Sequence, residues 1–254
     1  MPEPLFDERF TSLDPSIWTA AHLPAWSSHA AAAATYRTGP DGLELSIPPE
    51  QPLWCPDLHE GPLRVSAVQS ANRSGPVGST DAPQPFREGL RVREEQPTVL
   101  GFVPHYGTVA VTCSAHLSPR TMFAAWMVGL EDRPERCGEI CVMEVFGDTV
   151  RGGPAGPVAD VGQGIHRFRD PALREDFSAE PRDLDIEAEH TYAVHWRPGA
   201  VDFTIDGVRT RTADQAPDYP MFLLLGVFDF PDRPGDADDV ARMRVSRVTW
   251  TPLG

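Results

Sequence analysis

Gly138-Glu139-Ile140-Cys141-Val142-Met143-Glu144-Val145-Phe146-Gly147 is an apolar, β-branched run with two carboxylates set into it. Side chains alternate between the faces of a strand, so Glu139, Cys141 and Met143 share one face and Glu144 points to the other. One extra residue bulged out at Val142–Met143 brings Glu139, Cys141 and Glu144 onto the same side. Paired glutamates usually solvate a surface, but the apolar neighbours predict a largely buried strand. Burying two acids is costly unless they are paired or put to use. Two carboxyls on one face, close enough to share a sugar ring, are what cleavage of a glycosidic bond requires. Taken alone, the pattern leaves a catalytic pair and a structural one both open.

Strand signals recur on either side. Residues 42–47 alternate Leu43, Leu45 and Ile47 with Glu44 and Ser46 behind an Asp41-Gly42 turn, and residues 63–71 and 108–115 alternate similarly. Residues 121–128 are continuously apolar, as in a strand covered on both faces. Residues 191–196 and Ala200–Ile205 flank a Pro198-Gly199 turn, and Asp206-Gly207 predicts a hairpin into residues 208–212. A long apolar run at 221–230 and a last strand at 241–251 follow. Helical periodicity is poor: residues 30–34 read as irregular or extended, and 236–242 fits one helical turn. Residues 75–88 and 147–189, dense in Pro, Gly and charge, read as long loops, where function often collects. No repeat or composition break divides residues 1–254. The expectation is one all-β domain of two packed antiparallel sheets.

With 27 prolines and 21 glycines, the composition also argues for loops and short strands over long helices. The net charge is −15, and every basic residue is arginine. That acidity argues against nucleic-acid and anionic-membrane partners and fits a neutral one such as a polysaccharide. Cysteines 55, 113, 137 and 141 form no C-x-x-C pair. Along a strand, Cys137 and Cys141 lie roughly 13 Å apart, beyond disulfide reach. Four free thiols suit a reducing compartment. Met-Pro-Glu-Pro-Leu-Phe-Asp-Glu has neither the basic nor the apolar region of a secretion signal, so a cytoplasmic location is expected. Asn72-Arg73-Ser74 matches a glycosylation acceptor only by a common spacing.

The motif and its surroundings resemble glycoside hydrolase family 16, the group of laminarinases and related β-glucanases. Residues 138–144 resemble its bulged E-x-D-x-x-E motif. Leu13-Asp14-Pro15-Ser16-Ile17-Trp18, Asp41-Gly42-Leu43 and Tyr106-Gly107 resemble its earlier segments. Phe123-Ala124-Ala125-Trp126-Met127 is similar to the strand before the motif, and Gly164-Ile165-His166 to a short strand after it. His190-Thr191-Tyr192-Ala193-Val194-His195-Trp196, followed by residues 201–207, resembles a later hairpin. The resemblance runs from Phe6 to Trp250. It implies a concanavalin-like jelly-roll β-sandwich with a concave substrate cleft.

By resemblance, Glu139 is the nucleophile and Glu144 the general acid and base of a retaining endo-β-glycosidase, with β-1,3-glucan as the default substrate. Trp126 would stack on a sugar face, against the bland reading of a core tryptophan. His166 would hydrogen-bond near the cleavage point, against that of a loop histidine. Trp54 is a candidate for the cleft lining and Tyr106 for its rim. Cys141 stands where the family has aspartate. A neutral thiol supplies neither that residue's hydrogen bond nor its charge. The expected result is a slowed enzyme with an acid-shifted optimum; the competing reading is a carbohydrate-binding protein on the same scaffold. The substrate-facing loops match no one specificity, and a sandwich with an unrelated ligand stays open. No cofactor or metal is expected; the last strand reads Met243-Arg244-Val245-Ser246 where many relatives have an aspartate linked to structural calcium. The expected state is a monomer acting on a polysaccharide or oligosaccharide.

Overall fold

The computed structural model describes residues 3–254; Met1 and Pro2, which begin the segment read for a targeting signal, lie outside the described residues. The strands are β1 (Phe6–Glu8), β2 (Thr35–Gly39), β3 (Gly42–Ser46), β4 (Arg64–Gln69), β5 (Ala71–Asn72), β6 (Val99–Leu100), β7 (Gly107–His116) and β8 (Thr121–Gly129). After them come β9 (Glu139–Phe146), β10 (Arg151–Gly153), β11 (Gly156–His166), β12 (Asp176–Asp183), β13 (His190–Arg197), β14 (Ala200–Ile205), β15 (Val208–Ala213), β16 (Met221–Asp229) and β17 (Arg242–Thr251). Among the described residues the only helical pieces are two 3-10 turns.

Two antiparallel sheets form a sandwich. One runs β15-β14-β13-β7-β17-β3-β2, with β1 also on β17; the other runs β10-β11-β9-β8-β16-β4, with β12 also on β11. The core between them takes every second residue of the central strands. Phe123, Ala125 and Met127 of β8 and Leu223, Leu225 and Val227 of β16 meet Val109, Val111, Val194 and Val245 from the facing sheet. Each of these side chains larger than alanine contributes about 1.5–3 kcal/mol when fully buried. The alternate residues Met122, Ala124, Trp126 and Val128, with Phe222, Leu224 and Phe228, form a second apolar layer under loops that carry Leu23, Trp26, Trp54, Leu90 and Val92. That double cover is why β8 and β16 read as unbroken apolar runs. The Asp206-Gly207 turn has positive φ at both residues (51° and 77°), as the expected hairpin demands.

Two expectations need correction. Residues 147–189 are not one long loop: β10, β11 and β12 occupy 22 of these positions, β11 and β12 in an antiparallel ladder from Val158↔Asp183 to Ile165↔Asp176. Residues 236–242 form no helical turn: the Asp238 N–H donates to Asp236 Oδ1 at 2.9 Å, a local bond that competes with helix. All four cysteines are free and buried.

Candidate active site

The two glutamates reach one face through a bulge. Across β8, Cys141 pairs with Trp126 and Met143 with Ala125, so Val142 has no opposite residue. Across β11, Glu144 pairs with Gly162 and Cys141 with Gly164, with the same shift in register. Val142 and Met143 therefore both enter the sandwich core, together with Ile140 and Val145. Glu139, Cys141 and Glu144 are left lining a pocket on the opposite face. Gly162 makes room for this: a Cβ there would lie 2.7 Å from Glu144 Cγ and 2.6 Å from Phe177 Cζ.

The pocket, about 260 Å³ in volume, has aromatic walls. Trp126 and Trp54 line it with Phe86 and Phe228, and His22 lies between the two tryptophans, its ring centre 4.8 Å from that of Trp54. Trp54 Nε1–H is tied to the His22 carbonyl at 2.9 Å, which fixes its ring. Trp126 extends over Gly226, where a Cβ would sit 3.4 Å from the indole.

A loop residue joins these parts. Gln84 Nε2–H donates to Glu139 Oε2 at 2.9 Å, and Gln84 Oε1 accepts from Trp126 Nε1–H at 3.3 Å. The Gln84 backbone N–H donates to Glu131 Oε1 at 2.7 Å. Glu131 is also paired with Arg169 and lines the same pocket. Gln84, Glu131 and His22 were not singled out from sequence. The sole sequence signal was that residues 75–88, which contain Gln84, form a long loop.

Burial dominates the electrostatics. It raises the Glu139 carboxyl to about 8, with the Glu144 charge adding to the rise and the Gln84 hydrogen bond opposing it. Glu144 is also raised by burial, against a lowering by His166. Two buried acids in one pocket give up a first proton more readily than a second, so the two carboxyls do not titrate independently. Burial raises both acids above the free carboxyl value, while the missing charge at position 141 leaves them lower than a third acid there would. Burial and the two glutamates hold the Cys141 thiol neutral by raising it well above its usual value. Its Sγ reaches only the Gly162 carbonyl, at 3.8 Å. Burial also raises Glu131 to about 7 and depresses His22 to about 3, leaving His22 neutral with a buried, unpartnered Nδ1.

Glu139, Cys141, Glu144, Trp126 and Trp54 thus come together in one pocket. His166 does not line it: it pairs in register with Glu139, stacks on Phe177 at 4.5 Å and holds Glu175 through Nδ1 at 2.5 Å. Tyr106 is not at the rim. Its ring packs 5.1 Å from Trp196, in the facing sheet, and its hydroxyl donates to Asp218 at 2.7 Å. Its left-handed backbone (φ 65°), beside the turn at Gly107, carries the ring away from the cleft. Among the described residues, no three His, Cys, Asp or Glu side chains are grouped to hold a metal ion.

No protein-family model matches the chain, and no curated protein sequence does. Solved structures match along its whole length. A GlcNAcα1-4Gal-releasing endo-β-galactosidase from Clostridium perfringens superposes with a TM-score of 0.77 at 24% identity, over 99% of this chain and 63% of that one. The chain therefore spans less than two thirds of that protein. A laminarinase from Flavobacterium sp. gives 0.66 at 14% identity, over 98% of this chain and all (100%) of that one. A GH16 protein from the Bacteroides ovatus mixed-linkage glucan system gives 0.56 at 16% identity, over 97% of this chain and 100% of that one. At these identities the likeness is one of architecture: the chain has the jelly-roll β-sandwich fold of glycoside hydrolase family 16.

Proposed function

We propose that the chain is a retaining endo-β-glycosidase, with Glu139 as nucleophile and Glu144 as acid and base. The observation that carries this is the bulge at Val142–Met143, which turns both glutamates onto the aromatic pocket instead of opposite faces. A Glu139 carboxylate oxygen bonds to the anomeric carbon as the glycosidic C–O bond breaks, and Glu144 gives its proton to the departing oxygen. Water then loses a proton to Glu144 and bonds to the anomeric carbon, releasing Glu139. The reaction needs Glu139 charged and Glu144 neutral, so the proton of the pair must sit on Glu144 when the sugar is attacked. Trp126, held by Gln84, offers a face for a sugar ring beside the nucleophile.

The default substrate is a β-1,3-glucan, in line with the laminarinase likeness; the endo-β-galactosidase likeness adds galactose-containing glycans to the candidates. Cys141 favours a second reading, a carbohydrate-binding protein with little hydrolysis, because no carboxyl stands between the pair on their strand. Reducing-sugar release from β-glucans, agar, carrageenan and galactosyl glycans separates the two. The proposal expects release by the native protein and its loss in Glu139→Gln. Release that persists in the variant sinks the nucleophile assignment, and binding without release selects the second reading.

A further inference from the structure

We propose that Gln84 is the positioning residue of Glu139, holding the nucleophile from a loop because its strand neighbour Cys141 offers it no hydrogen bond. The inference rests on the reading of Glu139 as nucleophile. Three observations carry it. The first is the orientation of the amide. An indole N–H only donates, so Trp126 Nε1–H at 3.3 Å claims the Gln84 oxygen and turns the Gln84 NH₂ toward Glu139 Oε2 at 2.9 Å. The flipped amide would oppose two donors at Trp126 and two acceptors at Glu139.

The second is the effort spent on placing this side chain. Gln84 is not glycine, yet its φ is 47°, in the left-handed region. Such a backbone persists only when its surroundings hold it, and both flanking groups are tied. Trp26, fully buried, donates from Nε1 to the Pro83 carbonyl at 2.8 Å, and the Gln84 N–H is bound to Glu131 at 2.7 Å. The third is the silence of Cys141. It lines the same pocket between the glutamates, but its thiol reaches only Gly162 and stays neutral.

A donor to the charged form of a carboxyl lowers its pKa, so Gln84 opposes the burial and the Glu144 charge that would keep Glu139 protonated. It also fixes which oxygen of Glu139 is tied and which is free for attack. The same amide couples Trp126 to Glu139, so a sugar stacked on the indole and the atom that attacks it share one support.

The test titrates the glutamate carboxyl carbons by 13C NMR in the native protein, Gln84→Met and Gln84→Glu, with Glu139→Gln assigning the resonance. Gln84→Met keeps the length and removes the donor; the Glu139 midpoint should rise by about one unit, a tenfold change in ionisation. Gln84→Glu keeps the shape and adds a like charge, and should raise it further. In the pH profile of kcat/KM on any glycan the native protein cleaves, the acid limb should move up by the same amount, with kcat falling more than KM rises. An unmoved midpoint and acid limb in a Gln84→Met protein that still melts like the native one overturn the proposal. Absence of hydrolysis by the native protein sinks the hydrolase reading alone, because the carboxyl titration reads the hold of Gln84 on Glu139 without substrate.

Discussion

Replacing Glu139 with glutamine should stabilise the protein at alkaline pH while it removes the proposed nucleophile. Glu139 is 9% exposed, and burial and then the Glu144 charge raise its carboxyl from 4.5 to about 8. An acid whose pKa is higher in the folded state binds its proton more tightly there than in the unfolded chain. Its contribution to stability is complete below the unfolded value, falls as pH rises, and levels off above the folded value. At about 1.4 kcal/mol per unit, that loss has a ceiling of about 5 kcal/mol. Glutamine has no proton to lose, fills the same volume, and its side-chain oxygen still accepts from Gln84. For a domain of this size each kcal/mol moves Tm by about 2–4 °C. Half of the ceiling therefore raises the Tm of Glu139→Gln above the native value by about 5–10 °C near pH 8.5, and by less than about 2 °C near pH 4.5. Thermal melts followed by circular dichroism across that range read the difference directly. Parallel curves for the two proteins would mean that Glu139 titrates near its ordinary value, and would refute the account of a buried acid.

Cys141→Asp places a third acid between Glu139 and Glu144, which favours their protonated forms; both limbs of the pH–rate profile should move up by about one to two units, with faster release from a β-glucan. Cys141→Ser, neutral and similar in shape, should leave the limbs in place, and unmoved limbs in the aspartate variant contradict the role given to the missing charge. Gly162→Ala forces a methyl within 2.7 Å of Glu144 Cγ. Displacing the acid in this way should cost kcat about a hundredfold, against about 1–3 kcal/mol of stability in urea titration. Asp229 accepts from Arg120 at 2.5 and 2.9 Å and from Arg64 at 2.9 Å, and Arg120 is buried. Asp229→Ala strands that guanidinium and should destabilise by about 3–5 kcal/mol in the same titration.

The bulge was legible because it is a local conflict: two acids five positions apart sit in a run that otherwise belongs in a core, and only an inserted residue reconciles them. β8 and β16 were legible because both faces are covered, so every residue except Thr121 and Asp229, at their ends, is apolar or glycine. β12 was missed because it is an edge strand whose exposed Glu180, Pro181 and Asp183 carry no alternation. Of β11 only its last three residues were read as strand, by resemblance, because Gly162 and Gly164, which let neighbours approach closely, look like loop residues. Gln84 and Glu131 act on the site across long stretches of chain, and no periodicity reports a contact of that kind. Tyr106 was misplaced because a tyrosine before a strand does not state which sheet its ring joins.

The central claim is that Glu139 attacks the sugar. Incubation with a panel of activated 2-deoxy-2-fluoro β-glycosides, followed by proteolysis and mass spectrometry, tests it most directly. The account predicts one glycosyl adduct, on the peptide that carries Glu139 and absent from Glu139→Gln. An adduct on Glu144, or turnover of the same glycosides with no adduct at any time point, would contradict it.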